Sequence, residues 1–386
     1  MIIVVVLVLL VVILLMLIMF DEAESTTTTT TRTTPVPIKR PVAFLFCTVG
    51  AFSESATAVF DSMFCDYFVY THVLPYKGDI LSYESAFSWE AFKKRATAYK
   101  DKLSYLGYPN ATKWGSVKLQ HYGYSFTAED LGWLKAQMSS VTSKNIDDML
   151  VKAQDLNTTV LKTTFLAVKL PGLTASAAND ASALQEYKGL DKIDLLILLT
   201  HLVNVPSEPN CKILQLSRYS GDALDAREPP SMERLLSSID KLKGVKFRVA
   251  FSLTFTLFLY KPTGGLKDTT KYGDGCQNSF FDDYNAVCGV PDTDITLNTD
   301  PSKSSATYAK KDSGIFMVFE TKNTTKLKAS KASEVSRKKG IELTWAAYDV
   351  HRDVRSCGVD ANVRMERLSA LNDTLVADYA VPEEEK

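Results

Sequence analysis

Ser313-Gly-Ile-Phe-Met-Val-Phe-Glu320, Gly340-Ile-Glu-Leu-Thr-Trp-Ala-Ala-Tyr-Asp349 and Arg355-Ser-Cys-Gly358 decide how this chain folds. The apolar runs Ile315 to Phe319 and Ile341 to Trp345 flank a segment from about Asn323 to Lys339. There Leu327, Ala332 and Val335 form a narrow stripe under Lys326, Lys328, Lys331, Arg337, Lys338 and Lys339, the pattern of a surface helix. Gly340 stands where such a helix ends, because glycine adopts the left-handed cap without strain. The spacing predicts strand, helix and strand, with the basic run as a solvated face.

Outward from this unit, Val42 to Cys47, Tyr67 to Tyr70, Thr163 to Leu170, Ile193 to Leu199 and Val245 to Tyr260 are nearly continuous apolar runs. Strands buried on both faces of a parallel sheet read this way. Ser88 is placed to cap a helix that carries Trp89, Phe92, Ala96, Tyr99 and Leu103 on one face. Helical stretches are expected at Glu129 to Met138 and Ile146 to Leu156, with Leu103 to Gly107 and Val117 to Tyr124 as candidates for the third and fourth strands. No internal repeat is visible, and about 350 residues suit one decorated (β/α)8 TIM-type barrel, expected over residues 41–380.

The ends point away from the cytosol. Residues 1–20 carry no charge, long enough for a helix to cross a bilayer core of about 30 Å; they read either as a signal anchor or as a cleaved signal peptide. Residues 21–40 form a Thr/Pro-rich stalk of the kind that bears O-linked glycans, and residues 381–386 an acidic tail. Asn110, Asn157, Asn323 and Asn372 open glycosylation sequons. The six cysteines suggest three disulfides in an exported chain, with 15 possible connectivities. The expected location is secreted, or the extracellular face of the plasma membrane, with membrane contact only through residues 1–20 if they are retained. A formal charge of −1 and 46% hydrophobic residues give no bias towards nucleic acid.

At Glu342-Leu-Thr-Trp345-Ala-Ala-Tyr-Asp349 the chain resembles the family-18 glycoside hydrolases, the chitinases and chitinase-like lectins. Their eighth strand reads hydrophobic-Trp-Ala-x-Asp and places a tryptophan on the floor of the sugar cleft. Tyr348 stands where that pattern has aspartate, and Asp349 comes one residue late. Phe319-Glu320, the basic helix, Gly340 and Cys357-Gly358 are similar to their counterparts in the family. Asp194 to Leu202 looks like the sixth strand, with His201-Leu202 in place of Tyr-Asp; Val249 to Phe255 looks like the seventh, and Cys65 to Tyr70 like the second. The resemblance implies the disulfides Cys47–Cys65 and Cys288–Cys357, which leaves Cys211–Cys276. It also implies a ligand site at the barrel mouth formed by Trp345, Tyr70, His201, Tyr348 and Asp349.

The family's hydrolytic motif, Asp-x-x-Asp-x-Asp-x-Glu at the end of strand four, is absent. There the glutamate protonates the leaving oxygen while an aspartate steadies the substrate's acetamido group. The nearest match by letters, Asp191-Lys-Ile-Asp194-Leu-Leu-Ile-Leu198, has leucines at the last two acidic positions. Glu129 is the candidate for a displaced acid, although with Asp130 it sits where acidic residues favour a helix start. No phosphate loop, Gly-x-Ser-x-Gly elbow or His-Glu-x-x-His occurs, so no cofactor or metal is expected. The sequence therefore points to a non-hydrolytic chitinase-like barrel that binds a chitin-type glycan or an extracellular protein. Two alternatives stand beside it: a glycosidase with a displaced acid, and a protein acting through its outer helices.

Overall fold

This computed structural model describes residues 44–50, 64–70, 73–76, 79–82, 87–88, 90–92, 94, 121–126, 163–170, 172, 177–191, 193–203, 209–291, 294–296, 305–354 and 365–379. Every described residue belongs to the unit Val42–Lys386. In chain order the elements are β1 (Leu45–Val49), β2 (Tyr67–Tyr70), β3 (Val73–Tyr76), β4 (Asp79–Ser82), β5 (His121–Phe126), β6 (Thr163–Val168), α1 (Ala177–Tyr187), β7 (Leu195–Leu198), α2 (Met232–Ser238) and β8 (Arg248–Thr254). There follow β9 (Leu257–Pro262), β10 (Cys276–Asp282), β11 (Ala306–Lys310), β12 (Ile315–Phe319), α3 (Lys322–Lys338), β13 (Leu343–Tyr348) and α4 (Glu366–Tyr379).

Seven strands join in one all-parallel sheet, in the order β2-β1-β13-β8-β7-β6-β5. Its two edge strands approach one another, so the sheet is curled. A curled parallel sheet with helices outside is the architecture of an α/β barrel. Alternation along the strands divides the core into two layers. Phe46, Val69, Phe165, Ala167, Ile197, Leu199, Ala250 and Ala346 fill the inside of the curl. Leu45, Phe68, Leu166, Leu196, Phe251, Leu343 and Trp345 face outward against Leu184 of α1, Leu235 of α2, Ala329 and Ala332 of α3 and Leu368 of α4.

The run Val245 to Tyr260 is two strands. It turns at Phe255-Thr256, and β9 leaves the barrel for a four-stranded antiparallel sheet in the order β10-β9-β12-β11. Ile315 to Phe319, expected as a barrel strand, is β12 of that second sheet, so α3 crosses from it back to β13. Both faces of β12 are covered, Phe316 and Val318 by Leu214 and Leu216, Met317 and Phe319 by Leu257, Tyr284 and Val287. Burial on both faces gives β12 the composition of a barrel strand.

Thr321 and Thr324 form a capping box at the start of α3, and Gly340 follows its end at φ 72°. The buried face of α3 is Thr324, Thr325, Lys328, Ala329, Ala332, Ser333 and Ser336, so Lys328 does not belong to the solvated basic face. Its ammonium is fully buried against Glu320 and the Ser217 hydroxyl. Ser88 lies inside its helix, which includes Phe87, and does not open it.

The candidate third strand at residues 103–107, the stretches 129–138 and 146–156, and residues 1–43 and 380–386 lie outside the described residues. Among the described residues no helix is long and apolar enough to cross a membrane.

Candidate functional site

The carboxyl ends of the parallel strands bring inward-facing polar groups together, as α/β barrels do at one face. β1 contributes Thr48, β6 leads to Lys169, β7 to Thr200 and His201, β8 contributes Ser252 and Thr254, and β13 ends at Tyr348 and Asp349. Asp349 has φ 56°, a left-handed conformation that strains a side chain other than glycine. Its backbone N–H donates to Thr48 Oγ1 at 3.2 Å. Thr254 Oγ1 and Thr256 Oγ1 donate to its Oδ2 at 3.1 and 3.0 Å. The strain is thus held by three hydrogen bonds that aim the carboxylate at the mouth.

His201 is buried, with Nδ1 hydrogen-bonded to Ser252 Oγ at 2.7 Å and its ring 4.6 Å from that of Tyr348. Thr200 ties the same strands together: its N–H donates to Ser252 Oγ at 2.9 Å, and its hydroxyl to the Ser252 carbonyl at 2.6 Å. Burial pushes the His201 imidazole down to about 4, against the pull of Asp349 and with help from Lys169. Burial would raise Asp349, but His351, Arg352, the Thr256 hydroxyl and His201 outweigh it and hold the carboxyl below its usual range. Burial and the neighbouring Asp349 raise the Tyr348 phenol. At neutral pH the mouth therefore holds a carboxylate, a neutral imidazole and a neutral phenol.

Three of the five expected ligand residues, His201, Tyr348 and Asp349, meet here. Trp345 does not. It is fully buried, edge-on to Phe251 at 6.3 Å, and its Nε1 donates to Ser333 Oγ of α3 at 3.5 Å, so it lies behind the sheet. A register slip of one residue moves every side chain to the other face. Counting back three from Asp349, as in the hydrophobic-Trp-Ala-x-Asp pattern, reaches Ala346, which points inward; alanine stands at the floor position. Tyr70 is displaced in the same way. It faces outward, with its hydroxyl bonded to Ser88 and its ring 5.6 Å from Phe92. Sequence reasoning missed Thr48, Lys169, Ser252, Thr254 and Thr256. The hydroxyls at every second position of the otherwise apolar run 252–256 were the signal for the last three.

β5, which adjoins β6 where the fourth strand belongs, reads His121-Tyr-Gly-Tyr-Ser-Phe126 and contains no carboxylate. Glu129 lies outside the described residues, as do Asn110 and Asn157. Asn323 is exposed and Asn372 half-buried. Disulfides join Cys47 to Cys65 and Cys211 to Cys276. Cys288 is also disulfide-bonded; its expected partner, Cys357, lies outside the described residues.

A curled parallel sheet, an antiparallel sheet inserted before its last strand, and a polar mouth define a chitinase-like barrel. The chain shares this fold with family-18 chitinases and with a chitinase-like pseudoenzyme. The Group IV chitinase of Ostrinia furnacalis superposes with a TM-score of 0.53 at 11% identity, covering 86% of this chain and 100% of that one. Catalytic domain 2 of the Group II chitinase of the same species gives 0.55 at 11% identity, over 87% and 97%. Human YKL-39, described as a pseudo-chitinase with retained chitooligosaccharide binding properties, gives 0.53 at 10% identity, over 86% and 99%. No protein-family model and no curated protein sequence matches the chain.

Proposed function

We propose that this chain is a chitinase-like protein without hydrolase activity that binds a chitooligosaccharide-type glycan at its barrel mouth. The observation that carries the proposal is the strand β5, His121 to Phe126, without an acidic residue where hydrolysis would need its proton donor. At the described strand ends the one carboxylate is Asp349, and its neighbours keep it ionised. An ionised carboxylate accepts hydrogen bonds from sugar hydroxyls or an acetamido N–H, but it cannot protonate a leaving oxygen. Tyr348, half-buried beside it, offers a ring face to a sugar. The likeness to human YKL-39 supports the same reading.

Residues 1–20 would direct the chain into an oxidising compartment, which the disulfides and the exposed sequon at Asn323 support. Export, whether as a secreted or an anchored protein, is part of the proposal.

Calorimetric titration with tetra-N-acetylchitotetraose, alongside a fluorogenic chitotriose turnover assay, tests it. Binding without turnover is expected, weakened about tenfold by Asp349→Asn or Tyr348→Ala, the effect of one lost hydrogen bond or ring contact. Turnover abolished by Glu129→Gln would establish the displaced-acid glycosidase instead. Absence of binding would favour a protein that acts through its outer surface.

A further inference from the structure

A cleft of about 1110 Å³ opens beside the antiparallel sheet, and no residue of the barrel mouth lines it. One wall is the segment 211–228, whose shape is fixed internally. The buried Glu228 carboxylate accepts from the backbone N–H groups of Gln215 at 2.9 Å and Leu224 at 2.8 Å, and pairs with Arg218. The Cys211–Cys276 disulfide fastens this wall to β10. The opposite wall is β11, with Thr307 and Ala309 on the face of Phe316.

Gln215 lines the cleft although only 6% of it is exposed, and its Oε1 has no hydrogen-bond partner. The Tyr272 hydroxyl, whose ring lies edge-on to Phe316 at 6.5 Å, also has none. Buried polar atoms are normally satisfied, so the orphan amide oxygen of Gln215 in the cleft wall marks a place where a ligand would supply what the chain does not, whereas the Tyr272 hydroxyl is the enclosed end of its ring. Four aspartates and three lysines line the cleft, a nearly balanced set, and Asp268 and Lys311 pair at 3.0 Å. Among the described residues no cluster could hold a metal ion. The remaining groups are aromatic faces, threonine hydroxyls and an amide.

We propose that this cleft is a second binding site, separate from the barrel mouth, for a neutral polyhydroxylated ligand of the saccharide class. A sugar hydroxyl donates to Gln215 Oε1 after a small rotation of the amide, a neighbouring hydroxyl bonds to the side chain of Thr307, which shares a sheet face with Phe316 and Val318, and the apolar face of the ring lies against the half-buried ring of Tyr272.

Saturation-transfer NMR and titration of the full chain with methyl β-glycosides of glucose, galactose, mannose and N-acetylglucosamine test the site. At least one probe should bind, about tenfold more weakly to Gln215→Leu and to Thr307→Val, and with unchanged affinity to Asp349→Asn. Gln215→Leu removes a buried orphan acceptor, so the melting temperature should hold or rise while binding falls; a purely structural glutamine would not give that opposite pair. Binding of no probe, or binding that ignores both cleft variants, overturns the proposal. Loss on Asp349→Asn alone would assign the probe to the mouth. Failure of the mouth reading would show separately, as a chitotetraose titration insensitive to Asp349→Asn.

Discussion

Trp345 provides the sharpest test of which side of the barrel carries recognition. It is fully buried between β13 and α3, against Phe251, with an indole N–H that reaches Ser333 Oγ at 3.5 Å. Trp345→Ala removes a whole aromatic side chain from a close-packed layer and leaves a cavity under α3, a change that costs about 3–5 kcal/mol. Set against a total stability on the order of 5–15 kcal/mol, this is a large fraction. Trp345→Phe keeps most of the ring and loses a long hydrogen bond, so the cost falls to about 1–3 kcal/mol. Urea denaturation followed by far-UV circular dichroism measures both. Chitotetraose titration of the Phe variant, well below its unfolding midpoint, should give the wild-type dissociation constant within twofold. The opposite pattern, full stability with binding abolished by Trp345→Phe, would place the indole on the ligand and refute the assignment of the two strand faces.

Other outcomes follow from buried charges and crosslinks. His201, with its folded pKa lowered to about 4 from an ordinary 6.5, binds its proton more readily when unfolded, so stability falls as pH drops from 6.5 towards 4, by about 3 kcal/mol in all. His201→Gln should flatten that part of a pH-dependent denaturation series; a slope that persists assigns the effect to other groups. Asp349, whose folded pKa is also lowered, contributes above its unfolded value and loses that contribution only at more acidic pH. Lys328→Met strands the fully buried Glu320 carboxylate and should cost about 3–5 kcal/mol, while Lys328→Met with Glu320→Gln recovers most of it; equal losses in the two variants would deny the pair its role. Serine replacement of Cys211 and Cys276, 65 residues apart, should cost about 4 kcal/mol, against about 3 for Cys47 and Cys65, 18 apart, because the longer loop gains more entropy on unfolding. Unfolding midpoints that rank the other way would point to strain or denatured-state structure as the stronger term.

Strands β1, β2, β6, β7, β8 and β13 were legible because burial on both faces turns them into apolar runs bounded by polar residues. That same property concealed two things. A run apolar on both faces carries no period-2 signal, so nothing in Cys65 to Tyr70 or Glu342 to Asp349 says which residues point inward. The family resemblance alone places Tyr70 and Trp345 at the mouth, and in the structure both face helices. Nor does such a run say which sheet it joins. β9 follows β8 after two residues, Phe255 and Thr256, and β12 is covered on both faces by the antiparallel sheet's own surroundings. Lys328 was hidden by its neighbours: in a helix with six basic residues, only the position of Glu320 in space distinguishes the buried one.

With Ala346 in place of a floor tryptophan, the interior of the curl is closed by aliphatic and phenylalanine side chains, Phe46, Phe165 and Ile197 among them. On the proposed reading, a sugar ring would find no indole to sink onto and would rest higher, on the groups that reach solvent. Of the inward residues at the described strand ends, Tyr348 and Asp349 are the half-buried ones, while Thr48, His201, Ser252 and Thr254 are buried beneath them. The buried set then acts as support. Thr48 and Thr254, with Thr256, hold Asp349 in a backbone conformation it would not adopt alone, and Ser252 with His201 holds the ring face of Tyr348. Support of this kind is what a binding site needs, since fixed acceptors lose little freedom when a ligand arrives. His351 and Arg352, with the Thr256 hydroxyl and His201, keep the Asp349 carboxyl ionised, the opposite of what an acid catalyst requires. The hydrogen bonds that would make the mouth a receptor thus fix a carboxylate that the neighbouring His351 and Arg352 have already removed from proton transfer.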